Sequence, residues 1–243
     1  MSAPRPAAPS DAEDQDFLAN YDPDAFAHPS LAVDVVILTV RAGSLHVLLT
    51  PRREPPQRGR WALPGGFVAM DESLDAAARR VLHRASGRRR VHLEQLHTFG
   101  ALRRDPRHRV VTVAYDALVP PHLLPDIDLQ PITVDAGGRV TVSGPNGGPR
   151  HLAFDHDEIV AVSVARLRAR IAETSAAFAL LGNRFTLREL QDVHEAVLGT
   201  ALNKDSFRRR MLAGGHLEPT GEREADVVHR PAELYRVVNE HPT

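Results

Sequence analysis

The sequence predicts an α/β chain in two parts: a layered sandwich of strands around a packed helix, then a small module of two helices and a two-stranded wing. Three observations carry that expectation. Runs rich in β-branched residues flank one strongly amphipathic helix in the first half of the chain. A Pro- and Gly-rich stretch over residues 120–149 is followed by a long helical segment. After residue 180 the pattern changes to helix, turn, helix and two short paired runs.

The elements follow in order. Residues 1–28, beginning "MSAPRPAAPSDAEDQDF", are rich in Pro, Ala and acids and read as a mostly disordered arm. "LAVDVVILTV" and "LHVLLT", separated by "RAGS", make a hairpin around a Gly-containing turn. A helix is expected over residues 73–85, where Leu74, Ala77, Ala78, Val81, Leu82 and Ala85 recur on one face. "RVVTVAYDALV" is a further strand and "ITVDAGGRVTV" a small hairpin. "DHDEIVAVSVARLRARI" is helical and closes a first domain expected over residues 29–175. The second domain, residues 176–243, opens with "FTLRELQDVHEAVLG", a helix with a Thr cap, Glu189 three residues later and a closing glycine. "KDSFRRRMLAGG" is its second helix, and "HLEPTGE" and "AELYRVV" its wing, which together make a winged helix-turn-helix.

Composition narrows the function. With 30 basic and 31 acidic residues the net charge is −1, so any contact with nucleic acid must come from a local patch. The absence of cysteine excludes disulfides, thiolate catalysis and Cys-ligated zinc. No apolar run reaches the ~18 residues that span a bilayer, and no signal segment is apparent, so a cytoplasmic protein without a membrane partner is expected. Only Lys204 is lysine; the other 29 basic residues are arginine, and arginine runs are discounted accordingly.

The chemistry lies in "GGFVAMDESLDAAARRVLHRASG", residues 65–87. Gly66, Glu72, Arg80, Leu82 and Gly87 stand in the register of the Nudix motif, G-x5-E-x7-R-E-U-x-E-E-x-G-U with U a bulky apolar residue. The preceding "RGRWALPGG" also resembles that family, which implies a Nudix-type α/β/α sandwich. Departures fall on the reactive positions. Val81, Arg84 and Ala85 occupy the three glutamate positions, and Arg88 replaces the last apolar one. Positions 81, 84 and 85 lie within about one helical turn, so three carboxylates there would converge on one Mg²⁺ cluster. Valine, arginine and alanine offer no ligands, so neither a metal site nor hydrolysis is expected, and no catalytic residue is assigned.

A cleft that cannot cut can still bind. Arg80 and Arg84, four apart, can meet a diphosphate as bidentate forks, Arg80 being the first candidate and Arg84 the second. Gly65 and Gly66 leave room for a ligand at the backbone, and Trp61 or Phe67 can stack on a base; Arg52 completes the candidate ligand set. Arg80 reads equally well as an ion-pair partner of Glu72, and Trp61 and Phe67 as core residues. His151 and His156 flank "LAFD" and read as structural.

From residue 180 onward nine basic residues meet ten acidic ones, so the module as a whole is not basic, but its second helix is. Lys204, Ser206, Arg208 and Arg209 are the candidate DNA contacts, with Arg230 on the wing loop; Phe207, Met211 and Leu212 are expected to face the core. Protein docking is the alternative role for this module.

Taken together, a degenerate Nudix motif followed by "FTLRELQDVHEAVLG" and "FRRRMLAGGHLEPTGE" resembles the Nudix-related transcriptional regulators of NAD metabolism. "RDPRHRVVTVAY" and "LAFDHDEI" match as well. The resemblance implies a homodimeric regulator, usually a repressor, that binds palindromic operator DNA and senses ADP-ribose or a related NAD-derived nucleotide; no cofactor is expected to be required, because the helix lacks the acids to hold magnesium. The alternatives are an active Nudix hydrolase with an accessory wing and a docking scaffold without a ligand. Arg88, Arg89 and Arg90 read either as a second DNA-facing patch or as a solvated loop.

Overall fold

A computed structural model describes residues 11–125, 127–135, 137–144, 147–171, 175–225 and 230–238. The central strand β1 (Ser30–Arg41) is buried over nine consecutive residues, because both of its faces are covered. Val33, Val35 and Ile37 pack on one side, and Val36, Leu38 and Val40 on the other. β1 runs antiparallel to β2 (Ser44–Leu48) across a two-residue turn in which Ala42 and Gly43 both have positive φ, 49° and 72°. That geometry matches the twist of the flanking strands. The short strands β3 (Thr50–Pro51) and β4 (Trp61–Ala62) pair with each other and close a loop over residues 52–60. β5 (Gly65–Phe67) pairs with the first part of β1, Asp34 facing Gly65.

The helix α2 (Leu74–Ser86) comes next, capped by Ser73, whose Oγ accepts from the Ala76 N–H, and ended by Gly87 at φ 70°. Its face is the expected one: Ala77, Ala78, Val81 and Leu82 are buried and Leu74 and Ala85 partly so. β6 (Glu94–Phe99) and β7 (Val110–Leu118) extend the sheet, β7 running parallel to β1. β8 (Leu129–Val134) and β9 (Val140–Val142) form the expected hairpin on the other edge, giving the order β6-β7-β1-β2-β8-β9. α3 (His156–Arg170) covers the second face with Ile159, Val160, Val164 and Leu167. Helix, sheet and helix make three layers.

The second part begins after a short α4 (Ser175–Phe178). α5 (Leu187–Leu198) starts in the capping box expected from sequence: the Thr186 Oγ1 accepts from the Glu189 N–H at 3.1 Å, and the Glu189 carboxylate accepts from the Thr186 N–H at 2.7 Å. α6 (Lys204–Ala213) is capped by Asn203. The wing strands β11 (Leu217–Arg223) and β12 (Glu233–Val237) gain a third partner, β10 (Phe185–Thr186), which is too short to show alternation in sequence. Phe185, Leu190, Val193, Phe207, Met211 and Tyr235 lie in the same hydrophobic cluster as Val36, Leu38 and Val164. The two parts share one core.

Two expectations are corrected. Within the amino-terminal arm, α1 (Asp11–Asn20) is helical, although it buries none of its residues. Asp11, Glu13 and Asp14 favour its positive end, and Phe17 meets Tyr21 one turn later at 5.5 Å. Residues 1–10 lie outside the described residues. Leu212, expected in the core, is 40% exposed, because α6 buries only the Phe207–Met211 stripe. Among the described residues no helix is long and apolar enough to cross a membrane.

Gly199 fixes how the parts meet. Its φ is 68°, and a Cβ there would lie 2.1 Å from the Val134 carbonyl oxygen. Gly199→Ala is therefore expected to cost upward of about 2 kcal/mol, read as a lower urea midpoint at unchanged slope. A variant as stable as the parent would contradict this packing.

Candidate functional site

A cleft of about 810 Å³ opens where β5 and β2 part company along β1. Its floor is a buried ionic cluster. Arg104, with a side chain only 5% exposed, donates to both Asp155 oxygens at 2.7 and 2.8 Å and reaches Asp34 at 3.5 Å. His156 accepts the Leu63 N–H on Nδ1 at 2.9 Å, which leaves the Nε2 proton facing Asp34 at 3.7 Å. Burial pushes the His156 pKa below its ordinary value against the pull of Asp34 and Asp155, which fits a neutral ring. Gly65 lies directly over this cluster: a Cβ would come within 2.2 Å of the Asp34 carboxylate.

The walls are cationic and aromatic. On one side the Arg52 guanidinium covers the Phe154 ring at 4.5 Å, and the Phe154 N–H donates to the Gln57 side chain at 2.9 Å. On the other, Phe67 is 45% exposed with Arg107 5.4 Å from its ring, and Arg107 is paired with Asp105. Arg84 leans in from α2 and donates to the Gly65 carbonyl at 3.0 Å.

Of the seven candidate ligand residues, the structure brings Arg52, Gly65, Gly66, Phe67 and Arg84 together in this cleft. Trp61 and Arg80 are not on its lining. Trp61 is half-buried under Arg150, 4.6 Å from its ring. Arg80 is held by the Glu72 carboxylate and by the Phe67 carbonyl. That pairing, with the Ala69 N–H, lowers the Glu72 pKa to about 2. The donor set does not fit magnesium. Val81 is buried in the core, Ala85 carries no ligand, Glu72 is committed to Arg80, and Arg84 brings a positive charge to the remaining position. Among the described residues no three His, Asp or Glu side chains form a set that could hold a metal ion.

Sequence reasoning missed Asp34, Arg104, Asp105, Arg107, Phe154 and Asp155; His156, read as structural, is a buried member of the same cluster. One signal was legible, a lone aspartate inside the apolar run "LAVDVVILTV". The matched stretches "RDPRHR" and "LAFDHDEI" held the rest.

In the second part, Lys204, Ser206, Arg208 and Arg209 all lie on the exposed side of α6, while Phe207 and Met211 are buried. Arg230 is exposed at the end of the wing loop, whose residues 226–229 lie outside the described ones. Arg88 donates to the Leu123 carbonyl at 2.6 Å, which ties it to the fold; Arg89 and Arg90 are exposed.

A cleft of this build on one core with a helix-turn-helix defines the class, a Nudix domain carrying a winged-helix DNA-binding domain. The NUDIX domain matches residues 28–133, and the NrtR DNA-binding winged helix domain matches residues 177–237. The chain is 36% identical over 230 residues to the ADPR responsive transcriptional repressor NtrR of Acinetobacter baylyi, covering 92% of this chain and 88% of that protein. It therefore belongs to the NrtR family of Nudix-related transcriptional regulators. The crystal structure of Shewanella oneidensis NrtR complexed with a 27mer DNA matches with a TM-score of 0.68 at 33% identity, covering 86% of this chain and 93% of that one. A MutT/nudix family protein from Enterococcus faecalis matches with a TM-score of 0.76 at 28% identity, covering 95% and 94% of the two chains.

The cluster under the cleft gives a direct test. Arg104→Met leaves Asp155 and Asp34 buried without their cation, and a broken buried pair of this kind costs about 3–5 kcal/mol. Equilibrium denaturation of the variant measures that loss; unchanged stability would show the cluster to be solvated.

Proposed function

We propose that this protein is a cytoplasmic transcriptional repressor whose cleft senses ADP-ribose or a related NAD-derived nucleotide without cleaving it. The observation that carries this reading is the loss of all three carboxylates that a metal-dependent hydrolase of this fold needs on α2, with the Arg84 guanidinium in one of their places, on one core with a DNA-reading helix. Arg84 at the lip of the cleft and Arg52 and Arg53 on its wall are the cations for a diphosphate, with Arg104 behind them in the floor. Phe67 and Phe154 offer ring faces for a base. Arg84 takes precedence over Arg80, whose guanidinium is already on Glu72. Since sensing leaves the ligand intact, neither metal nor cofactor is required. The protein acts as a homodimer on a palindromic operator, since one winged module makes few base contacts and a two-fold pair doubles them.

The effector is tested by titrating operator binding with ADP-ribose in EDTA, for the parent and for Arg84→Ala. The parent's operator affinity is expected to shift by roughly 5–150-fold, and the variant to need a higher ligand concentration for the same shift. An unshifted parent at millimolar ADP-ribose sinks this effector, and release of AMP in the presence of Mg²⁺ favours the hydrolase instead.

Base reading by α6 predicts that Lys204→Ala and Arg209→Ala each weaken operator binding by about 1–3 kcal/mol. A phosphate contact would weaken all DNA sequences alike and reduce the salt dependence. Operator affinity unchanged in the double variant would refute the assignment of α6.

A further inference from the structure

Among the described residues, three that are not glycine have positive φ: Ala42 in the β1–β2 turn, Gln57 at 62° and Phe154 at 55°. The last two are bonded to each other, the Phe154 N–H donating to the Gln57 Oε1 at 2.9 Å. A bulky residue holds such a conformation only when its surroundings impose it, and such strain clusters at switch regions. Here the surroundings are the cleft itself. Gln57 belongs to the 52–60 loop, and Arg52 of that loop lies over the Phe154 ring at 4.5 Å.

Phe154 also immediately precedes the N-cap of α3. Asp155 is the cap position of that helix and is gripped by Arg104, and His156 is tied to the Leu63 N–H. The helix then runs about 22 Å to its far end. There Arg168 donates to the carbonyls of Val197 and Leu198 at 3.1 and 2.7 Å. These are terminal carbonyls of α5, which have no partner inside their own helix. α5 in turn packs on the reading helix, His194 meeting Phe207 edge-on at 5.1 Å. A continuous run of contacts thus joins the wall of the cleft to α6.

We propose that Phe154 is a strained hinge at the cleft and Arg168 the contact through which the winged helix feels it. The inference rests on the reading that the cleft binds a nucleotide diphosphate. A bidentate bond to phosphate is stronger than the contact of a guanidinium with a ring, so an anionic occupant draws Arg52 off Phe154. The freed ring and backbone relax, the first turn of α3 shifts, and Arg168 carries the shift to α5 and α6. The occupant biases DNA binding because it favours one of the two arrangements. Arg168 touches neither ligand nor DNA in this scheme and acts as a positioning residue.

The test measures three quantities for the full-length protein and for Arg168→Gln: ADP-ribose affinity, operator affinity, and the ratio of operator affinities with and without ADP-ribose. Both separate affinities are expected to stay within about three-fold of the parent, while the ratio falls from the roughly 5–150-fold of allosteric coupling to near one. Arg168→Lys, which keeps the positive charge and a longer reach than Gln to the α5 carbonyls, should restore part of the ratio. A parental ratio in Arg168→Gln overturns the proposal. Should the parent itself ignore ADP-ribose, the reading of the ligand falls, and the hinge is judged in the ligand-free protein by amide hydrogen exchange of Phe154→Gly. Altered protection at residues 194–199 supports the hinge even then, and changes confined to residues 52–60 and 153–158 overturn it.

Discussion

The structure depends on one strand having no solvent face. β1 must be covered on both sides, and this demand recruits α2 to one face and α3 to the other. The same strand carries a single buried charge, Asp34, and a charge in that position must be matched. Arg104 supplies the match, Asp155 shares it, and Gly65 is kept without a side chain so that β5 can lie against them. The cleft is thus not an accident of loops around a sheet. Its floor is the device that makes a charged strand tolerable inside the core.

Electrostatics then decide what the cleft can hold. A metal-using site needs carboxylates that converge and remain free of other partners. The one acid left in register, Glu72 in the turn before α2, is held by Arg80, and Arg84 on α2 points its charge at the backbone of Gly65. An arrangement of this kind presents a cation, and no set of converging carboxylates, on the α2 side of the cleft.

Much of this was legible in the sequence. The period of Leu74, Ala77, Val81 and Leu82 marked the buried face of α2, and Thr186, Glu189 and Gly199 marked both ends of α5. Those are local signals, set within a turn or two of the chain. β10 escaped because two residues show no alternation, and α1 because its stability comes from end charges and one aromatic pair inside a segment of disorder-prone composition. The cleft was legible only in part. Its α2 side announced itself through a contiguous motif, whereas Asp34, Arg104, Phe154 and Asp155 lie up to 121 positions apart and meet only once the sheet is assembled.

The shared core has a consequence for how the protein ages in a cell. Because Phe185, Leu190 and Phe207 pack in the same cluster as Val36 and Leu38, the DNA reader has no private interior to fall back on when the sheet opens. Opening of either half exposes both to proteases, and anything bound in the cleft lowers the open population of the whole chain. The occupant of the cleft would thus set how long each molecule lasts.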